Sequence, residues 1–297
     1  MKNNKKEYVY KKHIIRGAKG MKNQKLIFIL IGAFCIFALV AGIYAQFFVE
    51  KSNNTQEPTN NINNDIKPKT QEEIKAQLND LFTNELIINN YDTTKVIKLI
   101  EDKDIVYSAY DIQKKETNYE MDIHLPVLNI KGEVPNDFNK ITQSIFVDKA
   151  SDILNNKYTE HVIYSVDYIS YINENILSLV IKSTLKQGNN PQRVIVQTYN
   201  YDLETGKEVK LSDILILNSI KQNDCQNKIK ETIDKAQEEA QILVNSGYTV
   251  YNRDLANSMY QIENVSTFFL GKEREIYIIF AYGNLNFTSE MDIVLYE

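Results

Sequence analysis

The sequence has no tryptophan, only five prolines, ten glycines, three histidines and two cysteines in 297 residues. Each scarcity excludes something. Cys35 lies within an apolar run and Cys225 stands alone in the remainder, so no disulfide framework holds the chain, and its stability comes from burial. Scarce glycine leaves no phosphate-cradling loop, and no G-x-S-x-G nucleophile elbow is present. His13, His124 and His161 have no His, Cys or acid at metal-ligand spacing such as H-E-x-x-H or C-x-x-C. Glu116, Glu120 and Asp122 cluster, and a solvated strand edge accounts for them. No metal, no cofactor and no catalytic residue is expected. The chain reads as a non-enzyme. An envelope hydrolase is the weakest alternative, kept only because Ser-His-Asp triads assemble across a fold.

What the chain does have is a charge-free run at 26–49, LIFILIGAFCIFALVAGIYAQFFV. A bilayer core about 30 Å thick needs roughly 20 apolar helical residues. The preceding residues 1–25 carry nine Lys or Arg and one acid, Glu7, which places that leader on the cytoplasmic side. The expectation is a single N-terminal transmembrane helix acting as a signal anchor, with the C-terminal part extracellular. A signal peptide cleaved after Ala45 is the alternative, and Met21 is a second candidate start. Beyond residue 25, 25 basic residues face 38 acidic ones, a net charge of −13. Such a domain does not favour nucleic acid and attracts cationic partners.

Residues 50–69, Asn-rich and broken by Pro58 and Pro68, read as a disordered stalk. Thr70 and Glu73 have capping-box spacing, and Ile74, Leu78, Leu81, Phe82 and Leu86 follow at helical intervals. A second short helix is expected over 94–101, making 70–105 a helical spacer. From 106 the pattern turns to strands at 106–112 and 119–125. A helix capped by Asn136 follows, with Phe138, Ile141, Ile145, Ala150, Ile153 and Leu154 on one side. Strands at 161–172, 176–185 and 193–202 are separated by short turns and form an antiparallel meander. Ser212 opens a helical stretch whose stripe runs Cys225, Ile229, Ile233, Ala236, Ala240, Leu243, stopped by Gly247. Cys225 on that stripe reads as a small buried residue. Strands at 265–270, 275–282 and 291–296 close the chain. The fold class is α+β: one domain at 106–297, with a largely antiparallel sheet and helices on one face.

Nineteen tyrosines stand out. Tyr164 and Tyr168 share a strand face and Tyr171 points the other way. Sheet packing is the expected role, and a binding surface the alternative. Residues 199–215, YNYDLETGKEVKLSDIL, resemble the TGK-turn signature of an extracytoplasmic domain found in the lysozyme-sensing anti-sigma factor RsiV and in the non-catalytic part of membrane-anchored peptidoglycan deacetylases. Residues 176–182 and 264–283 resemble that family's preceding strand and final hairpin. The resemblance spans roughly 107–297. It departs at two polar loops, QGNNPQR at 187–193 and the stretch at 281–293. The resemblance implies a bacterial envelope protein with a binding or sensing role, and a disulfide-free outer domain is the Gram-positive pattern.

Taken with the anchor, this yields a membrane-anchored, non-enzymatic extracytoplasmic binding or sensor protein of the bacterial cell envelope. Its expected ligand is a cell-wall component or a cationic protein. The alternative is an anti-sigma factor sensing lysozyme, whose residues 1–25 would bind a sigma factor. The two atypical loops supply the candidate ligand-binding residues Asn189, Asn190, Arg193, Asn284 and Asn286, whose amides and guanidinium suit a sugar or peptide.

Overall fold

The computed structural model describes residues 69–155 and 157–297. The run at 26–49 and the stalk up to residue 68 lie outside the described residues. Among the described residues no helix is long and apolar enough to cross a membrane.

Helix α1 spans Gln71–Asp80 and opens with the capping box its sequence announces. The Thr70 N–H donates to the Glu73 carboxylate at 2.7 Å, and the Glu73 N–H donates to the Thr70 hydroxyl at 3.3 Å. The helical spacing of Leu86 does not hold, because Leu86–Asn89 is strand β1. The expected helix at 94–101 shrinks to one 3-10 turn, Thr93–Lys95. The cause is Asn129, which is 1% exposed. Its side-chain oxygen accepts from the N–H groups of Leu99 and Ile100 at 3.1 and 2.8 Å, and its amide donates to the Ile100 carbonyl at 2.7 Å. One side chain thus answers backbone groups that a helix would have paired.

Strands β2 (Val106–Lys115) and β3 (Tyr119–Leu128) form a hairpin. Helix α2 (Glu133–Thr142) starts three residues ahead of the expected Asn136 cap, since Pro135, having no N–H to leave unpaired, fits its first turn. A π turn, Gln143–Val147, leads into α3 (Asp148–Leu154). That wider turn keeps Phe138, Thr142, Phe146, Ala150 and Ile153 on one buried face, so Ile141 and Ile145 face solvent. Strands β4 (Val162–Asn173), β5 (Ile176–Gln187) and β6 (Arg193–Asp202) form the antiparallel meander. At the next turn the Asp202 carboxylate accepts from the N–H groups of Glu204 and Thr205 at 2.8 and 3.0 Å. Gly206 there takes φ +70°, a conformation glycine adopts freely. The turn leads to the two-residue strand β7 (Lys207–Glu208), then α4 (Leu211–Leu217) and the long α5 (Gln222–Asn245). Gly247, at φ +89°, ends α5. Strands β8 (Phe268–Leu270) and β9 (Ile276–Ala281), the short helix α6 (Gly283–Asn286) and strand β10 (Met291–Tyr296) complete the chain.

The strands do not make one sheet. Seven of them form a larger sheet in the order β2-β3-β4-β5-β6-β7, with β1 also joined to β4. The remaining three form a second sheet, β10-β9-β8. One edge of β4 is shared: β3 lies parallel beside 162–166 and β1 parallel beside 170–173. All other pairings are antiparallel.

Period-two alternation assigns the strand residues to layers. On one face of the larger sheet, Tyr164, Tyr168, Leu179 and Ile181 pack with Phe138, Phe146 and Ile153 of α2 and α3. On the other face, Ile169, Tyr171, Val180 and Val196 pack on Phe269, Tyr277 and Ile293 of the second sheet and on Ile74 and Leu78 of α1. The outer face of the second sheet meets Ile214, Cys225, Ile229 and Ile233 of α4 and α5. The layers therefore run helices, sheet, sheet, helices. The α+β class stands, but the expectation of helices on one face is corrected: each sheet has its own helical cover. Tyr164, Tyr168 and Tyr171 are all buried, on the faces their spacing gives.

The two sheets are joined by hydrogen bonds as well as apolar contact. Ser178 and Asn200 stand opposite each other on β5 and β6. The Ser178 hydroxyl donates to the Asn200 side-chain oxygen at 2.6 Å and accepts from the Leu270 N–H at 3.1 Å. The Asn200 amide donates to the Phe268 carbonyl at 2.8 Å. Asn173 and Asn89 continue the seam, donating to the carbonyls of Gly271 and Lys272 at 2.9 and 2.7 Å. With Thr198, which accepts from the Phe268 N–H at 3.1 Å, these side chains pair the outward backbone groups of β8 and its following turn, and those of Phe268, Leu270 and Gly271 would otherwise lie buried and unmet.

Candidate functional site

The second sheet does not cover the whole face of the larger one. Beyond the edge of β10 it leaves a groove of about 740 Å³. Its floor is Lys182, Thr184 and Val194 on β5 and β6. One wall is α1, through Glu72, Lys75 and Asn79, and the opposite wall is the C-terminal half of α5 with residues 248–250. Thr288, Ser289, Glu290 and Met291 form the edge between them. The volume lies in the usual range for ligand sites, about 300–1,000 Å³.

Behind the groove sits a buried polar cluster. Arg253 is 7% exposed and Asp292 1% exposed. The Arg253 Nε donates to Asp292 Oδ2 at 2.6 Å and a terminal nitrogen reaches Asp292 Oδ1 at 3.2 Å, the two-pronged geometry of a strong guanidinium–carboxylate pair. Glu290 takes a further contact at 3.3 Å. The other terminal nitrogen donates to the Tyr251 carbonyl at 3.0 Å. Tyr282 donates to Asp292 at 2.6 Å, lies 3.0 Å from the Tyr260 hydroxyl and stacks on Tyr251 with ring centroids 3.8 Å apart. Burial pushes the Tyr260 hydroxyl up to about 12, and burial followed by the Asp292 charge holds Tyr282 protonated far above its ordinary range. For Arg253, burial works against the charge, but the Asp292 contact outweighs it and the pKa is raised. Every group in the cluster has a hydrogen-bond or ion-pair partner. The cluster ties the loop before 253 to β10 and makes the groove's rear wall rigid. A pair of this kind confers geometry more than stability.

Lys182 differs from the other cations here. Lys75 pairs with Glu72 at 3.2 Å and Arg253 with Asp292. Lys182 donates to Asn79 at 3.0 Å and lies 4.3 Å from the centroid of the Phe82 ring. Among the described residues it has no ion-pair partner. Burial lowers its pKa from the ordinary lysine value, with Asp167 partly opposing.

The two loops singled out in the sequence do meet in space. The Arg193 Nε donates to the Gly283 carbonyl at 2.8 Å, and its guanidinium lies 4.3 Å from the Phe287 ring centroid. The Asn284 side chain exchanges hydrogen bonds with the Val196 N–H and carbonyl at 3.3 and 3.0 Å, taking the place of a neighbouring strand. The Asn190 carbonyl accepts from Lys186, while the side chains of Asn189 and Asn286 are exposed. None of the five lines the groove; their neighbours Gln192, Thr288 and Glu290 do. Sequence reasoning missed Lys182 because an isolated polar residue in a strand reads as solvent-facing. It missed Arg253 and Asp292 because 39 residues separate them. The alternation of β5 puts Lys182 on the same face as buried Ser178 and Val180, and that was the available signal.

The histidines lie elsewhere. His124 sits between Asp111 and Asp122 on the β2–β3 hairpin, at 3.1 and 3.2 Å, and His161 is 4.0 Å from Glu120. Among the described residues no group of three or more His, Cys, Asp or Glu is arranged to hold a metal ion.

No family model matches the sequence, and no curated protein matches it. Similar solved structures are DUF3298 family proteins. One, from Pseudomonas aeruginosa PAO1, is 9% identical over 56% of this chain and 76% of that one, with a TM-score of 0.33. Another, from Bacteroides fragilis, is 14% identical over 60% of this chain and 80% of that one, with a TM-score of 0.30.

Proposed function

We propose that this chain is a membrane-anchored protein of the bacterial cell envelope whose folded unit binds a ligand outside the membrane without chemically altering it. The observation that carries this reading is the uncharged run at 26–49 behind a leader of nine basic residues. The folded unit supports it in two ways. From residue 69 onward it carries 23 basic and 35 acidic residues, a net charge of −12, which suits a cationic or neutral ligand. Its groove of about 740 Å³ is built from strands and helices and is large enough for a ligand.

Fusions test the location. A phosphatase that is active only outside the cytoplasm, joined after Glu297, should be active in cells, while a fluorescent protein that matures only inside should stay dark. The reverse pattern contradicts the reading. A regulatory version, an anti-sigma factor that senses lysozyme, rests on the resemblance at 199–215 and on the acidic surface. It requires residues 1–25 to bind a sigma factor. A two-hybrid screen of that leader against every extracytoplasmic sigma factor of the host, all negative, eliminates it.

A further inference from the structure

Resting on the reading of the folded unit as a binding domain, we propose that the groove takes an extended peptide that lies along the open end of β10 and presents a carboxylate to Lys182.

The backbone of β10 carries the first half of the argument. Tyr282 donates its N–H to the Glu290 carbonyl at 3.0 Å, and the strands pair onward as 281 with 291 and 279 with 293. In an antiparallel ladder the paired and unpaired positions alternate, so residues 291, 293 and 295 turn their N–H and C=O away from β9. At Ile293 the Gln71 side chain answers both groups: its amide donates to the carbonyl at 2.7 Å and its oxygen accepts the N–H at 3.0 Å. At Leu295 the carbonyl accepts from Lys228. At Met291, which lines the groove, no hydrogen bond meets the outward pair among the described residues. The protein thus shows on its own chain what this edge recognises, an amide presenting donor and acceptor together. A peptide backbone supplies that pair at strand spacing.

The second half is charge. Lys182 is the groove's only lysine or arginine without a carboxylate partner among the described residues, and the Phe82 ring and Asn79 fix its position. A half-buried ammonium with no direct ion pair, opposed across the strands only by Asp167, favours a further anionic group, and a peptide carries one at its C-terminus. The flanks offer apolar surface for side chains: Leu243 is 48% exposed and Tyr248 66% exposed. Tyrosine and leucine at the lip of a groove suit alternate side chains of an extended ligand.

The test uses the full-length chain in nanodiscs, immobilised and washed with two pools of random octapeptides, one with free C-terminal carboxylates and its amidated twin. Mass spectrometry reads what is retained. The expected result is about tenfold greater retention of the carboxylate pool, the scale of one charge-assisted hydrogen bond. Lys182→Gln should abolish the preference and Lys182→Arg should restore it. Thr184→Arg, which fills the floor, should abolish retention of both pools, and a control change far from the groove, Ile97→Ser, should leave retention intact. Equal retention of the two pools, retention of neither, or an unchanged preference in Lys182→Gln overturns the proposal. The fusion assay reports separately: an outside location without peptide retention removes the groove's role alone, and an inside location removes the envelope reading itself.

Discussion

On one face of the larger sheet, Phe138, Phe146, Ala150 and Ile153 lie against tyrosines and aliphatic residues in a mainly apolar contact, with Asn139 bonding both backbone groups of Leu128 and Tyr164 reaching the Phe146 carbonyl. On the other face, a three-stranded sheet is attached through Ser178, Asn200, Asn173 and Asn89, and its cover stops short at Lys182 and Thr184. The helical cover is fitted mainly by side-chain packing, with Asn139 as its polar tie to β3. The sheet cover is held at fixed positions by backbone groups that must be paired, so it cannot slide to close the gap. The uncovered strip becomes a groove with rigid walls. The proposed ligand capacity follows from how a layer is attached.

Substitutions can break that contrast. The largest effect is expected at Gly283. A Cβ there would lie 1.8 Å from the Val194 carbonyl oxygen and 2.5 Å from that of Thr288, both backbone atoms. Gly283→Val should detach the 283–288 segment from β6 and cost upwards of about 4 kcal/mol. Denaturant unfolding reads this; a midpoint near wild type would mean the segment is loosely held.

Next comes the apolar face. Phe146→Ala should cost about 3–5 kcal/mol through the cavity it leaves, with the groove's peptide preference unchanged below the unfolding transition. Asn200→Ala acts on the polar seam. It strands the Phe268 carbonyl and removes an acceptor from Ser178, for a loss of about 1–3 kcal/mol. It should also increase amide exchange across β8, which Phe146→Ala should not. Equal exchange patterns in the two variants would erase the distinction between the covers.

The smallest effect on stability is expected from Lys182→Met, within about 0.5 kcal/mol at neutral pH, since a poorly hydrated charge gives way to apolar volume. Its signature is in the pH dependence. Burial lowers the folded-state pKa of Lys182, so the unfolded chain binds its proton more tightly. Wild-type stability relative to the variant should therefore rise as pH climbs from the folded value toward the unfolded one, about 10.4. Comparing the two chains cancels the tyrosines, whose raised pKa values act in the opposite direction at high pH. A flat difference would mean that Lys182 is fully hydrated.

Much of this architecture was legible in the sequence, and what was not has a common cause. The alternation at 161–202 and the stripe from Cys225 to Ala240 are local patterns, and they gave strands and a helix where they occur. The Thr70–Glu73 box gave the start of α1. The division into two sheets was hidden, because nothing local tells β9 to pair with β10 and not with β6. Strand β1 was hidden because Leu86 also fits a helical step. The turn at 99–104 depended on Asn129, about 30 residues away. The two loops singled out in the sequence meet, but Arg193 and Asn284 bond to backbone groups there, while the groove lies one step further on at Gln192 and Thr288. Lys182, Gln71 and Met291 come together only when three layers are stacked, and no spacing in the chain foretells it.

Amide hydrogen exchange at Met291, measured on the full-length chain in nanodiscs with and without the carboxylate octapeptide pool, tests the groove most directly. The account predicts that the peptide slows exchange at Met291 by about tenfold or more, while Val294, already paired with β9, and Ile293, already capped by Gln71, stay unchanged. Unchanged exchange at Met291 in the presence of retained peptide would contradict it.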